Sequence, residues 1–388
     1  MFKAYQAVGR MLKKPDLYET YDNLIKFKEQ GKNIIGVIPH TIVPDELIFA
    51  SNSIPLHFCL GGTEDQMDTG HAYLSQTTCG FQRVNLGIFE GRKGISYDIY
   101  NLIDFVIAGT FCAGVQNTGM YLEHYFGKKQ YRLIIPYCNK KNPFNYFLKE
   151  LFQLKIFLEK KSNINISRER LIESINIYNK LKALYQELDK FRYIDHPIIS
   201  IYEIQNLIHH LYLNGPILNS EVINKFLALI NNNALLEKKG IRIFLTGNGI
   251  LYEDELVSLI ENCDCVIVGD DISTGFEFYS SLVEVNTSDP LLALAERYLK
   301  RNLSGRMIPE SYRIKKIVEI CKERKIKGII NNCLKFCDSY SNTTDIFREE
   351  MKKQGIPVLT LERDFSQSSI GQIKTRIEAF LEILRGEA

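Results

Sequence analysis

The sequence predicts an α/β protein made of two Rossmann- or flavodoxin-like parallel-sheet domains with a helical segment between them. Three observations carry this. Short β-branched runs closed by Gly or Pro alternate with amphipathic stretches up to residue 136 and again from Ile241 onward. Between about Asn142 and Lys238 that alternation gives way to long helical periodicities. The chain has 388 residues, more than the roughly 250 to 300 that one hydrophobic core fills. The expected boundaries are 1–141 for an N-terminal α/β domain with a leading helix, 142–238 for the helical segment and 239–388 for a C-terminal α/β domain.

In order, Asn33-Ile34-Ile35-Gly36-Val37-Ile38 reads as a buried strand. Pro44 to Ala50 opens a helix, with Pro in its first turn and Asp45 and Glu46 beside the positive helix end. Ile54 to Phe58 is extended, Asp104 to Gly109 is a strand, Cys112 leads into a helix reaching Tyr121, and Tyr131 to Pro136 is the next strand. Such strand and helix alternation implies an open parallel sheet. Ser167 is a good N-cap for the helix from Arg168. Strands return at Ile241–Gly247, Cys265–Gly269, Gly328–Ile330 and Ile356–Thr360, an architecture compatible with an old duplication although no fixed-period repeat is visible.

Lys plus Arg (48) and Asp plus Glu (46) leave a formal charge of +2 and no basic block, so no nucleic-acid partner is expected. The N-terminal residues lack a signal-peptide pattern and no apolar run approaches 18 residues, so a cytoplasmic protein with no membrane segment is expected. Nine cysteines without a secretion signal point to reduced thiols or metal ligands.

Cys79 and Cys112 each precede a helix, where the terminal amides favour the thiolate, and Cys337 repeats the arrangement in the second domain. All three fall at carboxyl edges of parallel sheets, where α/β proteins place their sites. Their separations of 33 and 225 residues match no local ferredoxin pattern, so buried structural cysteines remain an alternative. Cys263 and Cys265, two apart at a strand entry, are expected on opposite sheet faces and not on one metal. Cys321 reads as core, and Cys138 and Cys333 as structural, with Cys333 near Cys337. Gly247-Asn248-Gly249 after a strand lets backbone approach a ligand but lacks a dinucleotide fingerprint.

The closing stretch Gly371 to Leu384 resembles the last helix of the 2-hydroxyacyl-CoA dehydratase and benzoyl-CoA reductase family. The resemblance extends through Val43-Pro44-Asp45-Glu46-Leu47, Cys79-Gly80-Phe81-Gln82-Arg83, Thr110-Phe111-Cys112-Ala113, Arg242 to Gly247, Asp289-Pro290-Leu291 and Lys335-Phe336-Cys337-Asp338. It implies a subunit that binds one [4Fe-4S] cluster on Cys79, Cys112 and Cys337, acting on an acyl-CoA by one-electron, ketyl-radical chemistry. It also implies a homologous second subunit, in a heterodimer or a homodimer, and an ATP-dependent iron–sulfur activator. Thr41, three positions before Pro44, stands where substrate-activating subunits have a small hydroxyl residue, and His40 beside it is a proton donor, a partner for a CoA phosphate or a polar loop residue.

Two departures qualify the resemblance. Substrate-activating subunits have a carboxylate directly after a proline in the next extended segment, whereas Pro55 is followed by Leu56, which transfers no proton. Double-cubane relatives have extra cysteines at positions matched by Ser273 and the region of Ser304, so a single cluster is expected although Cys59 matches one of theirs. A stand-alone small-molecule reductase and a metal-free partner subunit are the alternatives.

Overall fold

The computed structural model describes residues 14–38, 42–110, 112–136, 141–231, 237–300, 303–305, 307 and 310–386. Two four-stranded sheets form, both wholly parallel. The first comprises β1 (Asn33–Ile38), β2 (Ser53–His57), β3 (Phe105–Gly109) and β4 (Gln130–Leu133), in the order β2-β1-β3-β4. The second comprises β5 (Ile241–Gly247), β6 (Cys265–Asp270), β7 (Gly328–Leu334) and β8 (Val358–Arg363), in the identical order β6-β5-β7-β8. In each half the chain first steps to one side of the opening strand and then to the other. That reversal opens a crevice at the carboxyl ends of β1 and β3, and of β5 and β7, the usual site position in such sheets.

Pro55 has no N–H to give a neighbour, which suits β2 to the sheet edge it occupies. The edge is covered by the middle segment, whose helices are Lys141–Ser162, Arg168–Tyr193 and Ile201–Asn231. Helix 201–231 packs on β2 and on β6, the corresponding edge of the second sheet, so one element seals both. It bends at Gly215-Pro216, where Gly215 takes φ +78° and Pro216 cannot continue the hydrogen-bond ladder. Ser167 caps helix 168–193 as expected, its Oγ accepting from Arg170 N at 3.2 Å. Ile54 and Leu56 of the first half share one core with Ile208 and Tyr212 of the middle helix and Ile267 and Leu361 of the second half.

Charges lock helix 168–193 to both halves. Lys182 pairs with Glu46 at 2.7 Å, and Tyr298 donates to the same carboxylate at 2.7 Å. Arg192 pairs with Asp189 at 2.9 Å and with Asp270 at 2.8 Å. All five of these charged side chains are buried, so each charge depends on its partner.

Three expectations are corrected. β7 extends to Leu334, because Asn331 and Asn332 find partners in Thr344 and Arg363 and so remain in the strand. The strand expected to reach Pro136 ends at Leu133. Cys263 and Cys265, expected on opposite faces, pack in the same core, because residues two apart along an extended chain point to the same side.

Candidate functional site

A cavity of about 130 Å³ lies where the carboxyl edges of the two sheets meet. Cys79, Cys112 and Cys337 all line it. The first domain adds Phe81, Gln82 and Gly114, and the second adds Asn248, Ser273, Glu277, Ser304 and Tyr340.

Each cysteine stands at the N-cap of a helix: Cys79 before Gly80–Gly91, Cys112 before Ala113–Phe126 and Cys337 before Asp338–Ser341. Cys112 Sγ accepts from Val115 N at 3.4 Å, satisfying one terminal amide of its helix. Cys337 is reached through Phe336, which holds the left-handed conformation at φ +62°, rare for a non-glycine residue and common at functional sites. Gly114 leaves room for the Gln82 amide, since a Cβ there would meet Gln82 Nε2 at 1.5 Å.

The Cys79 thiol is hydrogen-bonded to the Cys337 sulfur, which holds the Cys337 thiol below the ordinary thiol value. Burial opposes this, while the Asn248 side chain, whose Nδ2 donates to Cys337 Sγ at 3.1 Å, and the Tyr340 and Ser339 amides reinforce it. The same bond, followed by burial and the proximity of Cys337 and Cys112, pushes Cys79 well above the ordinary thiol value. Three sulfurs thus interact across the domain boundary, with negative charge favoured on Cys337.

The remaining described cysteines fall outside the cavity lining. Cys333 is buried in β7 and its thiol is pushed up to about 12, first by burial and then by Cys337. Cys59 is wholly buried in the shared core. Cys321 is core beside Ile317 and Ile320. Cys138, His40 and Thr41 lie outside the described residues, while Ile42 lines the cavity.

Leu56 is core, paired with Gly36 across the sheet, and serves packing. The cavity's acidic groups are instead Glu277 and Asp338. Glu277 was not singled out from the sequence; its one available signal is a charge inside the apolar run Phe276-Glu277-Phe278-Tyr279. Asp270 and Asp271 are structural, bound by Arg192 and Arg313. In the closing helix, Arg376 donates within its own half to Thr360 O at 2.8 Å, and Glu378 faces Lys374.

A chain with paired flavodoxin-like domains and three thiols on their shared crevice belongs to a recognisable class. It is a member of the 2-hydroxyglutaryl-CoA dehydratase D-component family, whose model matches residues 40–384. It is 26% identical over 365 residues to the (R)-phenyllactyl-CoA dehydratase beta subunit of Clostridium sporogenes, covering 93% of this chain and 94% of that one. The (R)-2-hydroxyglutaryl-CoA dehydratase beta subunit of Acidaminococcus fermentans is 22% identical over 381 residues, with 93% and 95% covered. A benzoyl-CoA reductase subunit of Thauera aromatica is 21% identical over 369 residues, with 93% of each chain covered. The family resemblance of the sequence is therefore borne out over nearly its whole length. No described helix is long and apolar enough to cross a membrane.

Proposed function

We propose that this chain is the iron–sulfur subunit of an enzyme acting on a CoA thioester, a 2-hydroxyacyl-CoA dehydratase or a benzoyl-CoA-reductase-like reductase. In this reading Cys79, Cys112 and Cys337 hold one [4Fe-4S] cluster, the enzyme is completed by a homologous second subunit, and an ATP-dependent activator supplies electrons. The observation that carries it is the convergence of three thiols, drawn from both halves, on one cavity.

The donor set suits such a group. Among the described residues no three His, Cys, Asp or Glu side chains are grouped to hold a single metal ion. A cluster asks for something else, one thiolate on each of several irons, drawn from different segments that border one cavity. Bound there, the cluster would accept and pass on single electrons. The chain's own residues would hold it and exclude water, with Phe81, Val115 and Leu334 as apolar cover. Ser273 and Ser304 face the same cavity without thiols, and Cys59 is buried away from it, which supports one cluster rather than a joined pair.

Leu56 supports an electron-relay role, with proton transfer on the substrate assigned to the partner subunit. In the same reading Thr41 and His40 are the catalytic groups of this chain, Thr41 bonding to a thioester or hydroxyl oxygen and His40 donating a proton or bonding to a CoA phosphate. Iron and sulfide analysis of chain purified without oxygen is the test. About four irons per chain, lost in Cys112→Ala, are expected; an iron-free, colourless wild-type chain would favour a metal-free partner subunit, and about eight irons a double cluster.

A further inference from the structure

We propose that Asn248 is a positioning residue whose amide donates to the Cys337 sulfur and thereby raises the electron affinity of an iron–sulfur group held there. The inference rests on the reading of Cys337 as a cluster ligand.

Gly247, the last residue of β5, takes φ +106°, and a Cβ there would lie 2.1 Å from Asn332 O. Only glycine allows the turn after β5 to come this close to β7. The approach fixes Asn248 on three sides. Its backbone N donates to Asn332 O at 2.8 Å, its carbonyl accepts from Asn332 Nδ2 at 3.0 Å, and its Oδ1 accepts from Leu334 N at 2.8 Å. A backbone N–H can only donate, so the amide oxygen must face Leu334 and Nδ2 is left for Cys337 Sγ at 3.1 Å.

The same logic orients the residue behind it. Asn332 Oδ1 accepts from Arg363 Nε at 2.8 Å, and that guanidinium is held by Asp254. Since arginine is donor-only, Asn332 must turn its Nδ2 toward Asn248. Asp254, Arg363, Asn332, Asn248 and Cys337 thus form one polar chain running from β8 through β7 into the cavity, and its first three members are buried. The direction of every bond in it is dictated by donor and acceptor chemistry. An N–H aimed at a cluster sulfur stabilises the electron-rich reduced form, and hydrogen bonds to sulfur are among the features that set cluster potentials.

The full chain, purified without oxygen and loaded with iron and sulfide, is titrated potentiometrically with EPR detection, beside Asn248→Leu and Asn248→Asp. Leucine removes the donor; aspartate keeps the shape and the bond from Leu334 N while turning an acceptor oxygen toward sulfur. Both variants are expected to keep the wild-type iron content with a lower midpoint potential, the aspartate variant lowest. For leucine the expected loss is roughly tenfold in the reduction equilibrium, about 59 mV for one electron. Unmoved midpoints at full iron loading overturn this inference alone. Iron loss from both variants also overturns it, making Asn248 a structural residue. An iron-free wild-type chain overturns the ligand reading and this inference together.

Discussion

The two α/β halves share one strand order, and each sets a cysteine just beyond the third strand of its sheet, yet they hold the sulfur by different means. In the first half, Cys112 caps a helix of 14 residues and accepts from that helix's own Val115 amide at 3.4 Å. In the second, Cys337 caps a helix of four residues, too short to carry much dipole, and takes a shorter bond of 3.1 Å from Asn248 on another strand's turn. Duplicated architecture therefore supplies equivalent positions without equivalent environments. The first sulfur is served by local helix geometry, whereas the second adds to the amides of its own short helix a polar chain crossing three strands. The asymmetry extends to the anchoring of helix 168–193, which meets the first half through Lys182–Glu46 and the second through Arg192–Asp270.

The largest effect should come from breaking those anchors. Lys182→Ala leaves Glu46 buried without its cation and is expected to lower stability by about 3 to 5 kcal/mol in urea unfolding. Arg192→Ala, which strands Asp270 while Arg324 still holds Asp189, should cost a comparable amount. A loss under about 1 kcal/mol for either would mean that the corresponding half is held by apolar packing alone.

Acid sensitivity comes next. Burial holds the His209 imidazole down to about 4, against its bond to Ile250 O. The unfolded chain takes a proton there near 6.5, so between about pH 6.5 and 4 the unfolded state binds more protons and stability falls as pH falls, by up to about 3 kcal/mol. Glu261 acts oppositely: burial pushes its carboxyl up to about 7, so its contribution is lost as pH rises from about 4.5 through 7. In unfolding midpoints measured from about pH 4 to 7, His209→Gln should flatten the acid-side decline, and Glu261→Gln should steepen it. Unchanged slopes would show that neither group differs between folded and unfolded chains.

The smallest contrast is between two glycines at the site. Gly247→Ala meets backbone and an unfavourable φ, and should destabilise by about 1 to 3 kcal/mol. Gly114→Ala meets only the Gln82 side chain, which can swing away, and should stay within about 1 kcal/mol. Equal thermal shifts in the two variants would show that Gln82 is as immobile as the backbone of β7.

The strands were legible because apolar β-branched runs closed by Gly or Pro carry their own signal, and the N-cap positions of Cys79 and Cys112 followed from the helices behind them. The end of β7 was not, because Asn331-Asn332 reads as a loop until Thr344 and Arg363 supply the partners that keep it in the sheet. Asn248 was visible as part of a glycine-flanked turn, but nothing in that turn points to a sulfur 89 residues away. The three thiols could be singled out through the family resemblance, since spacing alone left buried core cysteines as an alternative.

By itself the sequence determined the fold class, the family and the three cysteines worth weighing, all of which rest on local propensity and motif. The tertiary structure decided that the carboxyl edges of the two sheets meet across a shared helical layer, bringing residues 79, 112, 248 and 337 onto one cavity. It also decided that Leu56 is core and that Glu277 enters the cavity wall. Local propensities act over a few residues, whereas meetings between positions as far apart as 112 and 337 depend on how whole elements pack.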